Sequence, residues 1–259
     1  MRLLYIGDVM GDPGIKAVAA VLPELKQQEN IELVIAQAEN VTDGKGISVE
    51  DFRRLQKLGV DFCTGGNWTL HLPEIIKLLE DKKEPIIRPA NYPIGTPGLG
   101  YKYAGDALII SLLGSIVGKD SEQPVDNPLK TIDKILQKES GKYKYLVVNL
   151  HGDYSSEKVI IGHYLDGKAT LVVGDHWHVP TADARILPEG TAHITDVGMC
   201  GILNASLGVK FDSVIPRWRD GQHIRNELET EGPKQFNAVL VETDDSHLGS
   251  NIRQIHRII

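Results

Sequence analysis

The sequence predicts an α/β protein whose sheet carries polar residues along one edge, on three observations. Apolar runs of strand length alternate with helical stretches over the first 80 residues. Five strand-like runs lead into polar clusters: Leu3–Ile6 into Gly7-Asp8, Leu33–Ala36 into Glu39-Asn40, Asp61–Cys63 into Asn67, Tyr145–Val148 into His151, and Thr170–Val173 into Asp175-His-Trp-His178. Two C-terminal segments alternate as antiparallel strands do. Parallel strands of an open sheet end on one edge, so residues distant in sequence converge there, where such sheets hold their ligands.

The elements follow in order. After the first strand, Pro13-Gly14 opens an amphipathic helix, Ile15 to Gln28, with Val18, Leu22 and Leu25 on one face. The strand Leu33–Ala36 passes through the glycine loop Asp43–Gly46 to a helix over Val49–Leu58, with Ser48 as its N-cap. A third unit pairs the strand Asp61–Thr64 with a helix over Pro73–Glu80. Residues 88–100 hold three prolines and three glycines and form a loop suited to an active-site wall. Ala107–Leu113 reads as a strand and Pro128–Lys138 as a helix, joined by a polar connection open to solvent; the sheet resumes at Tyr145. Beyond Asp196 the pattern is irregular until the strands Ala238–Glu242 and Ile252–Ile259.

A chain of 259 residues suits one large domain about as well as two small ones, and we read residues 1–259 as one. The 41% hydrophobic and 24% charged content is that of a soluble globular protein, and no segment reads as a membrane span or leader, so a cytoplasmic location is expected. Cys63 and Cys200 are too few for a disulfide scaffold and suit buried thiols. The net charge of −7 speaks against a broad cationic face for nucleic acid.

The oxygen and imidazole mixture at the strand ends suits divalent cations. Taken alone, Asp8 is as readily a turn or helix cap, Glu39 a surface ion-pair partner, and Asn67 an ordinary turn after Gly65-Gly66. His176-Trp-His178 is the strongest local signal: two imidazoles one residue apart reach a single site only from an irregular backbone, because a strand would splay them. His151 arrives at the same edge by the same strand-end logic.

On these residues the chain resembles the calcineurin-like metallophosphoesterases, and within them the YmdB-like branch of bacterial phosphodiesterases. The likeness runs nearly end to end through Gly7-Asp8-Val9-Met10-Gly11, Ala38-Glu39-Asn40, Gly66-Asn67, Arg88–Pro93, Gly95–Gly98, His151 with Ser156–Lys158, His176–Asp183 and Thr195–Met199. It implies a metallophosphoesterase fold, central mixed β-sheets flanked by helices in an α/β/β/α sandwich. It implies two divalent metal ions, iron or manganese first and zinc also compatible, one held by Asp8, Glu39 and His178, the other by Glu39, Asn67, His151 and His176. Asn40 would contact a phosphate oxygen or a water beside them. A hydroxide bridging two cations has a lowered pKa and would attack phosphorus in line. The resemblance implies small phosphodiesters, notably cyclic nucleotides, as substrates, and a homo-oligomer.

One departure bears on catalysis. Where the branch has a proton-donating histidine after the asparagine, this chain has Trp68, whose indole donates a hydrogen bond but exchanges no proton. Trp68 either packs or stacks on a substrate base; His71, three residues on, is a weaker substitute donor. Asp175 stands where the branch has threonine, as a partner of a ligating histidine or, the reading we prefer from sequence, a solvated turn residue. Tyr154 and Trp177 face either the substrate opening or an oligomer contact. A phosphodiesterase and a metal-binding but catalytically impaired regulatory or nucleotide-binding module therefore both remain open, with a phosphomonoesterase or nuclease as weaker alternatives.

Overall fold

The structure is a computed structural model that describes residues 1–117 and 124–259. In chain order its elements are β1 (Arg2–Ile6), β2 (Asp8–Val9), α1 (Gly11–Gln28), β3 (Leu33–Gln37), α2 (Val49–Lys57), β4 (Phe62–Thr64), α3 (Ile76–Glu80), β5 (Tyr101–Ala104), β6 (Ala107–Leu113), α4 (Pro128–Lys138) and β7 (Tyr145–His151). The second half adds α5 (Ser155–Tyr164), β8 (Leu171–Asp175), β9 (Arg185–Ile186), β10 (Ala192–Ile194), β11 (Met199–Ile202), α6 (Phe211–Asp220), β12 (Lys234–Thr243) and β13 (Gly249–Ile258).

The strands form two mixed sheets. One runs β2-β11-β12-β1-β3-β4 with β13 on β12, the other β5-β6-β7-β8-β10-β9. Side chains of a strand point alternately to its two faces, and β1 shows what that does here. Leu3 and Tyr5 join a core between the sheets with Ile35, Val147 and Val173, while Leu4 and Ile6 pack against α1 and α2 through Leu22, Phe52 and Leu55. A third core lies outside the second sheet, where Ile132 and Ile135 of α4 and Ile161 of α5 cover Leu108, Ile110, Val148 and Leu150. The order is helix, sheet, sheet, helix, an α/β/β/α sandwich. Each large apolar side chain so buried contributes about 1.5–3 kcal/mol against conformational entropy.

Parallel pairing of β1 with β3 and β3 with β4, and of β6 with β7 and β7 with β8, brings their C-terminal ends to common edges. The register sets Leu113, His151 and Asp175 side by side. β12 and β13 pair antiparallel, each longer than the sequence pattern indicates. Ser48 caps α2 by accepting from the Asp51 N–H at 3.0 Å. The first helix begins earlier than expected, at Gly11, with Pro13 in its first turn, where a missing N–H costs nothing. The stretch from Pro73 is a 3₁₀ turn to Ile75 before α3. The polar connection expected before Pro128 lies partly outside the described residues. Among those described, no helix is long and apolar enough to cross a membrane.

Residues 88–100 brace the site rather than wall it. The Arg88 guanidinium donates to the carbonyls of Pro89, Thr96 and Pro97, closing the loop on itself, and Tyr92 donates to the Gly66 carbonyl at 3.1 Å. Cys63 and Cys200 are buried, which pushes both thiols up to about 12.

Lys102 on β5 is buried, with its ammonium donating to the carbonyls of Leu78, Asp81 and Glu84 at 3.2, 2.6 and 2.9 Å, in the last turn of α3 and just beyond it. Replacing Lys102 by Met takes a donor from all three carbonyls, of which Asp81 and Glu84 keep the N–H of Glu84 and Ile86, at a cost of about 1–3 kcal/mol, and thermal unfolding is expected to shift down by several degrees. An unchanged Tm would mean that water replaces the ammonium without loss.

Candidate metal centre

The strand ends deliver their residues to one centre. Asp8 follows β1, Glu39 and Asn40 follow β3, Asn67 follows β4, His151 ends β7, and His176 and His178 follow β8. Asp8, Glu39 and His151 are fully or almost fully buried, while Asn67 and His176 are partly exposed. His176 and His178 both have positive φ, 100° and 63°, so the backbone is irregular and the two imidazoles need not splay.

Three side chains converge on His151 Nε2. Glu39 Oε1 lies at 2.8 Å, His176 Nδ1 at 2.9 Å and Asn67 Oδ1 at 3.0 Å. Turned over, the Asn67 amide would put its NH₂ towards Glu39 and His151 and accept from Trp68 Nε1 at 3.1 Å, so it can offer the centre either an oxygen or a donor. Glu39 presents Oε1 to the imidazoles; its Oε2 accepts the Trp68 N–H at 2.8 Å. Beside this group, Asp8 Oδ1 faces His178 Nε2 at 3.9 Å, and Asp8 Oδ2 accepts the His176 N–H at 3.2 Å.

Each imidazole is held by its far nitrogen. His151 Nδ1 sits 2.7 Å from Asp175, His176 Nε2 3.4 Å from Asp153, and His178 Nδ1 3.3 Å from the Leu207 carbonyl. An acceptor at one nitrogen keeps a proton there and leaves the other for a cation, the usual support of a metal-bound histidine. Asp175 is therefore no solvated turn residue, contrary to the expectation from sequence. It is fully buried, and it also accepts from Tyr5 at 2.9 Å, Gln37 at 3.2 Å and Asn149 at 2.5 Å, donors drawn from both sheets.

The electrostatics favour positive charge. Burial, with Asp175 nearby, holds the Asp8 carboxyl well above its usual range. Burial alone would lower the His151 pKa, but the carboxylates of Glu39 and Asp175 outweigh it and hold it well above. Burial and then His151 bring His176 down to about 4, and burial lowers His178, so both favour the neutral form that binds metals. Asp8 Oδ1 and Asn40 Oδ1 are buried without a hydrogen bond. A buried carboxylate oxygen with no donor, facing neutral imidazoles, is the donor set a hard or borderline cation needs.

Gly66 is required by this packing. A Cβ at that position would collide with Glu39 Oε2 and the His151 ring, so the paired glycines serve contact with these side chains. A cleft of about 470 Å³ opens above the centre, lined by Glu39, Asn40, His176 and His178 at its floor and by Trp68, Asp153, Trp177, Val179 and Leu207. Asn40 donates to the Gly44 carbonyl at 2.9 Å, which leaves its Oδ1 as the free acceptor. His71 is exposed, packs edge-on against Trp68 with ring centres 5.4 Å apart, and does not line the cleft. Trp177 lines the cleft, whereas Tyr154 is exposed away from it. Sequence reasoning gave Asp153 and Leu207, whose acceptors hold the imidazoles, no such part, because a lone strand-end acid and a loop carbonyl carry no pattern.

The YmdB-like protein family matches residues 4–258. A 2′,3′-cyclic-nucleotide 2′-phosphodiesterase of Bacillus subtilis (strain 168) is 37% identical over 248 residues, 95% of this chain and 92% of its own. Two solved structures superpose throughout: a hypothetical protein from Thermus thermophilus (TM-score 0.90, 36% identity, 100% and 99% of the two chains) and a novel phosphatase of Mycoplasma pneumoniae (TM-score 0.91, 29% identity, 100% and 93%).

Asp175→Asn keeps the shape at that position but offers His151 a weaker acceptor. Loss of such a partner typically costs roughly 10–100-fold in metal affinity. A manganese titration followed by calorimetry is expected to show that loss with the circular dichroism spectrum unchanged. Equal affinity in the variant would mean that Asp175 does not orient His151.

Proposed function

We propose, from the premise that this chain belongs to the YmdB-like family, that it is a two-metal phosphodiesterase acting on cyclic nucleotides or similarly small phosphodiesters. That it is a phosphoester hydrolase follows from its near full-length relatives; the cations and substrate are our reading. The observation that carries it is the set of three imidazoles, each tied by its far nitrogen and facing buried carboxylates. Asp8, Glu39 and His178 would hold one cation and Glu39, Asn67, His151 and His176 the other, within one domain spanning 1–259. When bound, the cations supply neutralising charge for the phosphoryl group and a water of lowered pKa.

The chain's own residues do the rest. Asn40 Oδ1 accepts a hydrogen bond from the attacking water. The aromatic side chains of Trp68 and Trp177 narrow the cleft. Protonation of the leaving oxygen is the weak step: Trp68 Nε1–H donates a hydrogen bond but gives up no proton, and His71 lies outside the lining. Losing acid catalysis costs roughly 10²–10⁴-fold, so slow turnover is expected. The same residue supports a second reading, a nucleotide-binding regulatory module with negligible turnover. Iron or manganese as the metal, a homo-oligomeric assembly and a cytoplasmic location complete the proposal.

Manganese-loaded protein assayed on 2′,3′- and 3′,5′-cyclic nucleotides is expected to turn over slowly but above an Asp8→Asn control. Activity equal to that control would overturn the phosphodiesterase and leave the binding module. Trp68→His is expected to raise kcat by at least roughly tenfold, a fraction of the general-acid effect. No gain would place the proton donor elsewhere.

A further inference from the structure

Between His176 and His178 stands a residue that metal binding does not call for. Trp177 projects into the cleft from a stretch with positive φ on both sides, a strained backbone that persists only where the surroundings over-determine it. Those surroundings grip the tryptophan itself. Its backbone N–H donates to Asp196 Oδ2 at 3.0 Å, and its indole Nε1–H donates to the Asp153 carbonyl at 3.0 Å. Its ring lies 4.1 Å from the Lys158 ammonium.

Lys158 and Asp196 are both buried and paired at 2.8 Å. A buried ion pair seldom adds net stability, because desolvation offsets the attraction. Here the pair sits where it fixes an indole that is itself partly exposed. The carboxylate takes the backbone N–H, and the ammonium covers one ring face by a cation–π contact. With one face taken, a ligand in the cleft that Trp177 lines could stack only on the other. Val179 and Leu207, both substantially exposed, continue the cleft lining with apolar surface.

We propose that Trp177 is a rigid shelf on which the base of a nucleoside phosphodiester stacks while its phosphate lies at the metal centre. This rests on the phosphodiesterase reading and adds that the site selects diesters carrying a base. Trp177 adjoins two residues facing the centre, and neighbouring Cα atoms are about 3.8 Å apart, so its ring lies within one nucleoside's reach of the phosphate. Trp68 also lines the cleft, with Lys45 over its ring at 3.9 Å, but that lysine is exposed, whereas the Lys158 beneath Trp177 is buried and paired. Base–aromatic stacking tolerates every base, so the shelf selects for the presence of a base rather than its identity.

The test uses the manganese-loaded full chain and its Trp177→Ala and Trp177→Phe variants, with 2′,3′-cyclic AMP as substrate and inorganic phosphate as inhibitor. Trp177→Ala is expected to raise KM by roughly 5- to 150-fold, the range that stacking on one aromatic ring gives, with a much smaller change in kcat. Trp177→Phe should recover most of the loss, and phosphate inhibition should stay near the wild-type level. An unchanged KM in Trp177→Ala overturns the shelf and leaves the reaction standing. A loss that extends equally to inorganic phosphate also overturns it, because the substitution would then have disturbed the centre. If the wild type hydrolyses no diester, the reaction falls separately. The shelf is then judged by AMP quenching of tryptophan fluorescence: quenching that disappears in Trp177→Phe supports it, and quenching that persists overturns it.

Discussion

Three imidazoles tied by their far nitrogens govern this structure. His151 on Asp175, His176 on Asp153 and His178 on the Leu207 carbonyl each keep one nitrogen turned towards Asp8 or Glu39. Burial, and then the Asp175 carboxylate beside it, hold the Asp8 carboxyl well above its usual range. Positive charge at the centre relieves that penalty on the charged form, whether from a proton on His151 or from cations. The fold therefore gives up stability to a site whose residues are reconciled by what they bind.

The two-sheet architecture makes the arrangement possible. Asp175 ends β8 in the second sheet, yet two of its donors, Tyr5 and Gln37, come from the first. The carboxylate fastens the sheets together beneath the centre as well as orienting His151. Tyr5 also exchanges a hydrogen bond with Thr64 at 2.8 Å, which ties β4, and so the loop bearing Asn67, to the same network. A shift of one sheet against the other would part Tyr5 and Gln37 from Asp175 and Glu39 from His151, so the geometry of the site depends on inter-sheet packing.

Much of this was legible in the sequence. Parallel strands with apolar runs announce where their polar ends will meet, and so Asp8, Glu39, Asn67, His151, His176 and His178 could be gathered at one edge from pattern, with the family resemblance dividing them between two cations. Asp175 was misread because an acid at a strand end looks like a turn residue; only its partners, distant in sequence, show that it is buried. Helix α5 escaped because its buried face is built from Lys158, Ile161 and Gly162, which break the apolar period. β10 and β11 are short and lack alternation, and β5 follows directly on a proline- and glycine-rich loop. Trp68 was visible as a departure, but its place on the cleft wall, under Lys45 and against His71, emerges only in the folded chain.

The central claim is that these residues hold two cations. Metal content of the chain after equilibration with manganese and removal of free ion, measured by plasma emission spectroscopy against protein concentration, tests it most directly. The account predicts two ions per chain, and no more than one in a His151→Ala variant that remains folded. One ion or none in the wild type, or two retained in the variant, would contradict it.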